Sequence, residues 1–204
     1  MSMTLKPFKK RSKAVEAYQI KVTLAGSQPP IWRRVQVASD TTLAKFHTVL
    51  QSVMGWTNSH LHQFVIRGKY FAPRDPFSEF GGPKMESETK TTLADVVSGA
   101  RSRLTYEYDM GDSWRHDMVV EKVLNAEAGA QYPVCLAGAR ACPPEDCGGI
   151  WGYEELLEAV ADPQHERHEE LLEWLGGSFD PEKFDLNAVN AGLKALHRAR
   201  AARA

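Results

Sequence analysis

The sequence predicts an α+β protein, with a mixed sheet in residues 17–124 and a helical part over 150–200. Two observations predict that class. Before residue 124, short runs place apolar side chains at every second position, the period of a half-buried strand, with one helical run among them. After residue 150 the spacing changes to three and four residues, the period of a helix with one apolar face. At 204 residues and 43% hydrophobic, the chain can bury a core without disulfides or structural metal.

Tyr18, Ile20, Val22 and Leu24 share one face of a strand over 17–26. The stretch from Gly26 to Pro30 turns the chain, and Ile31, Val35 and Val37 form the inward face of a return strand. Strict alternation would also point Arg33 inward, so a bulge or a strand end is expected there. Asp40-Thr41-Thr42 opens a helix as a cap, Leu43, Phe46, Leu50 and Val53 make its stripe, and Gly55 closes it. A strand at 61–67 and a short one at Tyr70-Phe71 follow. Residues 72–90, rich in Pro, Gly and charge, read as a surface loop, and 92–97 as a helical turn. Strands at 103–109 and 114–123 are joined by a tight hairpin at 110–113.

This order of hairpin, helix, short strand and Thr-Leu-x-Asp turn resembles the ubiquitin-like β-grasp, here with an added β-hairpin. Beyond 150, Tyr153, Leu156, Leu157 and Val160 mark a helix broken at Asp162-Pro163. Leu171, Leu172, Trp174 and Leu175 belong to a second, closed by Gly176-Gly177. Asp185 caps a third, striped by Leu186, Val189, Leu193 and Leu196. The expected organisation is a basic tail over 1–16, one domain over 17–193 and an Ala/Arg-rich tail over 194–204.

Net charge is −1, so no global field draws the chain to nucleic acid or to an anionic membrane. No apolar run approaches a membrane span, no signal peptide is recognisable, and three cysteines argue against a disulfide framework. A cytoplasmic protein is expected. Charge is unevenly spread, however: residues 1–13 are basic without an acid, and acids far outnumber bases between 145 and 185. Solvated faces would explain this, as would a docking surface for a partner of opposite charge.

Four sets of residues could carry chemistry. Cys135, Cys142 and Cys147 could supply thiolates to a structural zinc with His116 as the fourth ligand, or be three reduced thiols in a Gly/Pro-rich loop. His60 and His62, two apart, would share a strand face with Phe64 and Ile66; with His116 and an Asp they are the raw material of an open metal site. Asp109, Asp112, Glu145 and Asp146 could act as bases or cation ligands. Turn formation explains Asp112 equally well, and Glu145-Asp146 would cap a helix starting near Trp151. Finally, Trp32 beside Arg33 and Arg34 could stack a base and contact phosphate, together with Lys9 and Lys10, or pack on the protein's own surface. No P-loop, G-x-S-x-G, H-E-x-x-H or Rossmann glycine pattern is present.

The motifs occur together in a particular order: Pro29-Pro-Ile-Trp-Arg-Arg34, Met54-Gly-Trp56, His60-Leu-His62-x-Phe64, Tyr108-Asp-x-Gly-Asp-x-Trp114-x-His116 and Cys142-Pro-Pro-Glu-Asp-x-Gly-Gly149. Asp162-Pro163-x-His165, Trp174-Leu-Gly176 and Phe179-Asp-Pro181 follow. In this combination the chain resembles the Ri-plasmid ORF-3-like family, also known as insertion-element passenger proteins of TnpR type. The resemblance covers about 17–193. It implies a single-domain α+β protein associated with plasmids and insertion elements, and it carries over no catalytic assignment. The TnpR label suggests a resolvase, yet no serine sits in a nucleophile setting and no helix is dedicated to reading DNA. His60, His62, Asp109, Asp112, Trp114, His116, Glu145 and Asp146 are the residues expected to line any site. A binding or interaction module is expected, with a protein or nucleic-acid partner, against a metal-dependent hydrolase or a nucleic-acid-binding accessory protein as rivals.

Overall fold

The computed structural model describes residues 16–73, 84–127 and 129–201, with side chains in the last helix as far as residue 196. Among the described residues, eight strands form one sheet in the order β5-β4-β3-β6-β7-β1-β2-β8. β1 (Glu16–Leu24) and β2 (Trp32–Ala38) form the amino-terminal hairpin. β3 (His62–Ile66) and β4 (Lys69–Ala72) form a second hairpin, and β6 (Arg103–Tyr108) and β7 (Trp114–Asn125) a third. All pairings are antiparallel except that of β4 with β5 (Met85–Ser87). The expected hairpin, helix and turn are present, but the eight-stranded, mostly antiparallel sheet does not establish a β-grasp.

Helix α1 (Leu43–Met54) lies on the sheet because its stripe of Leu43, Phe46, Leu50 and Val53 is fully buried. Burial of each such side chain contributes roughly 2 kcal/mol. Thr42 caps it by accepting the Lys45 amide, and Gly55 ends it at φ 105°, where a side chain would be strained. Helix α2 (Leu93–Val96) is a single turn held by reciprocal Thr92–Asp95 capping. Helices α3 (Gly149–Ala161), α4 (His168–Trp174) and α5 (Leu186–Ala201) follow, and α5 packs on α1 and on the edge strand β8 (Val134–Ala139). Helix therefore occupies most of the stretch expected to be the 194–204 tail.

Two strands escape the sequence pattern. β5 lies inside the stretch read as a loop, and β8 inside the stretch read as a Gly/Pro-rich loop around Cys135. Arg33 also departs from expectation. Its side chain does point inward, at 2% exposure, and the irregularity lies on the partner strand across from the next step: Arg34 pairs with Ala137 and Val35 with Cys135, so Leu136 is the extra residue on β8. Four carbonyls receive the guanidinium, those of Val53 (2.8 Å), Trp32 (2.9 Å), Ala139 (2.8 Å) and Arg140 (2.9 Å). Phe184 covers it with its ring 4.5 Å away, a fit that requires Gly138, where a Cβ would stand 2.6 Å from Phe184. Arg33 thereby ties the end of α1 to β2 and β8.

Candidate functional site

Three connecting segments meet at one end of the sheet. The chain leaving α1 is pinned by Trp56, whose indole N–H donates to the Pro143 carbonyl (3.0 Å), and by Asn58, whose amide donates to Gln51 (2.9 Å). These contacts deliver His60 to the turn between β6 and β7. There Asp109 adopts φ 58°, its amide donates to the Leu61 carbonyl, and its Oδ1 accepts the Gly111 and Asp112 amides (2.9 and 3.4 Å). Oδ2 is left facing His60. The third segment, stiffened by Pro143-Pro144, carries Glu145 and Asp146. Glu145 accepts from the Thr57 amide (2.6 Å) and from the Tyr108 hydroxyl (3.0 Å). Burial and the neighbouring Glu145 push the Tyr108 phenol up to about 12, so it stays a donor.

His60 Nε2 ends 3.1 Å from Asp146 Oδ1, 3.4 Å from Glu145 Oε2 and 3.6 Å from Asp109 Oδ2. It makes no hydrogen bond to any of them and is shut off from solvent. His60, Asp109 and Asp146 can each present one ligand atom within 4.8 Å of the others, as no other trio of His, Cys, Asp or Glu does among the described residues. Leu61 (72% exposed) and Met110 give the site an apolar rim. Asp146 also borders a groove of about 290 Å³ between α3 and α4, lined by Cys147, Glu155, Arg167 and Trp174 among others.

The other expected site residues go elsewhere. His60 precedes β3, so it does not share a strand face with His62. The His62 ring lies in the interior, stacked at 3.5 Å on His47, and its Nε2 contacts Glu88 at 2.8 Å. His47 in turn bonds Tyr106 and Asn58, and burial and then His62 lower its pKa to about 4. His116 is fully buried against Trp56 and Tyr106, with both ring nitrogens unpartnered, and burial lowers its pKa to about 4. Trp114 is likewise a core residue. Asp112 accepts the Gly148 amide at 3.2 Å, fastening the β6–β7 turn to the start of α3. That helix begins at Gly149 with Gly148 as its cap residue, so Glu145 and Asp146 do not cap it.

The metal centre expected from His60, His62, Asp109, Asp112 and His116 is therefore not assembled as a set: only His60 and Asp109 meet. Cys135, Cys142 and Cys147 are free thiols, and with His116 they form no ligand group among the described residues. Burial pushes Cys147 up to about 12 and Cys142 further, which keeps both protonated. Arg33 is inaccessible to a nucleic acid. Arg34 is held by both Glu121 oxygens (2.7 and 2.9 Å) and lies over Trp32, the self-packing alternative. Lys9 and Lys10 lie outside the described residues. Sequence reasoning missed Thr57, Tyr108 and Glu88, which position or occupy these clusters. Only Tyr108, inside the densest motif, carried a signal.

Fold and site define an α+β protein in which three loops gather a histidine and three carboxylates at one end of a mostly antiparallel sheet. The chain belongs to the plasmid pRiA4b ORF-3-like protein family, whose model matches residues 16–188. It is 40% identical over 181 residues to the uncharacterized protein y4hQ of Sinorhizobium fredii (strain NBRC 101917 / NGR234), covering 89% of each chain. The crystal structure of MM3350 from Methanosarcina mazei Go1, a protein of unknown function, is similar at a TM-score of 0.77 and 38% identity, covering 86% of this chain and 97% of that one. No described helix is long and apolar enough to cross a membrane.

Proposed function

We propose that the protein is a non-enzymatic binding module of the cytoplasm, serving a plasmid or insertion element, that receives a basic polypeptide segment on its acidic helical end. One observation carries this reading: residues 145–185 hold thirteen acids against Arg167 and Lys183 alone. The groove between α3 and α4 lies within that stretch. Trp151 (79% exposed) and Trp174 (50% exposed) supply aromatic anchors on the same helices. Indole faces beside carboxylates suit guanidinium and ammonium groups, by cation–π contact and by charge. Arg167 shows the chemistry internally, bridging Glu155 (2.8 Å) and Glu170 (2.7 Å).

Titration with an Arg-rich peptide, followed by tryptophan fluorescence, tests this. Affinity should fall as salt rises and should drop at least about fivefold in Trp174→Ala. Absence of binding at low salt would sink the proposal. A metal-dependent hydrolase finds less support, because His62 and His116 lie apart from His60. A nucleic-acid accessory role finds less again, because Arg33 is enclosed.

A further inference from the structure

We infer that His60, Asp109 and Asp146, with Glu145 beside them, form a binding site for one divalent first-row cation such as Zn²⁺ or Mn²⁺. This goes beyond the basic-partner reading and does not depend on it. The donors come from three separate segments, so their meeting reflects tertiary structure and not the habits of a single turn.

One atom, His60 Nε2, is buried in the cluster without a hydrogen-bond partner, and a second, Asp109 Oδ2, faces it at 3.6 Å. Asp109 is about nine-tenths buried, with a side-chain exposure of 10%. Backbone amides hold its Oδ1, while no hydrogen bond among the described residues reaches Oδ2, the oxygen turned towards His60. His60 Nε2 is closed to solvent and bonded to nothing, although carboxylate oxygens approach to 3.1, 3.4 and 3.6 Å. A buried polar atom left as His60 Nε2 is costs about 1–3 kcal/mol, and a cation bound between it and Asp109 Oδ2 would offset that cost.

Charge points the same way. Three carboxylates face at most one imidazolium, so the cluster keeps an excess of negative charge that a divalent ion would neutralise. The surroundings also resemble the supports that aim metal ligands. Tyr108 and Thr57 fix Glu145, and the Gly111 and Asp112 amides fix the Asp109 plane. One imidazole nitrogen among carboxylate oxygens favours zinc or manganese over magnesium, which prefers an all-oxygen shell. Among the described residues the three cysteines join no competing group of ligand atoms.

The full chain, stripped with chelator, would be titrated with Zn²⁺ and with Mn²⁺ by calorimetry and native mass spectrometry. Saturation is expected at one ion per chain. His60→Gln should abolish binding, and Asp146→Asn should weaken it at least about tenfold. The Asp146 side chain is 70% exposed, so that variant keeps its fold and stays informative if the others misfold. With Mn²⁺, a nitrogen hyperfine coupling in the electron paramagnetic spectrum should vanish in His60→Gln. Failure to bind either ion below millimolar concentration would overturn the inference. So would binding that survives Asp146→Asn unchanged or that is lost in Cys147→Ser. Peptide titrations in excess chelator test the basic-partner reading separately, so either proposal can fail alone.

Discussion

Arg33 and His60 are both set among oxygen atoms, and the protein treats them in opposite ways. Around Arg33, four carbonyls are close and all four are hydrogen-bonded. Around His60 Nε2, three carboxylates are close and none is hydrogen-bonded to it. A saturated buried polar group holds the fold together and has nothing left to offer a ligand. An unsaturated one contributes little to the fold and keeps its valence for something else. Arg33 is the saturated case and the cluster of His60, Asp109, Glu145 and Asp146 the unsaturated one, while His116 falls outside the division, being interior with both ring nitrogens unpartnered.

The largest test of that division is Arg33→Met, which strands several carbonyls in the interior. A loss of about 3 kcal/mol in urea unfolding is expected, with Arg33→Lys a poor rescue because an ammonium cannot reach the same planar set. An unchanged midpoint would break the comparison. Next comes pH. His47 and His116 titrate near 4 when folded, against an ordinary value of 6.5. Between those values the unfolded chain takes up protons that the folded interior refuses. Stability should therefore be complete above about pH 6.5 and fall as the pH drops towards 4, as thermal melts would show. His116→Leu should flatten that fall.

A smaller effect is expected at Gly152, where a Cβ would stand 1.9 Å from the Cys147 carbonyl oxygen. Gly152→Ala must displace the segment carrying Glu145 and Asp146. It should cost about 1–3 kcal/mol and weaken cation binding without touching a ligand, as calorimetry would show. The smallest effect is also the sharpest. Asp146→Asn removes one of three mutually repelling carboxylates, so it should leave stability within about 0.5 kcal/mol or raise it slightly in a denaturant melt. A loss comparable to that of Arg33→Met would mean that the cluster is structural after all.

Much of the fold was legible because hydrophobic period marks elements with one buried face. The alternation of Tyr18, Ile20, Val22 and Leu24 and the stripe of α1 both behaved that way. β8 was illegible for the converse reason. Val134-Cys-Leu-Ala-Gly-Ala139 lacks alternation, and its bulge at Leu136 breaks what period there is. The three-residue β5 is too short to show one. At the site, residue types were legible and their grouping was not. His60 and His62 look like one pair in sequence, but the strand begins only at His62, and the two rings serve different clusters. Glu88 illustrates the limit, being 5% exposed inside a stretch whose composition reads as surface.

β8 ends the sheet, and its outer edge is not left bare. The amide and carbonyl of Cys135 face away from β2, and the carboxamide of Asn190 on α5 takes both, each at 2.9 Å. One side chain thus imitates the hydrogen-bonding pattern of a further strand. A neighbouring molecule that tried to extend the sheet there would find the central donor and acceptor already engaged, and the Leu136 bulge would spoil its register. Asn190 therefore blunts this edge: a strand added against Cys135 would first have to displace its carboxamide.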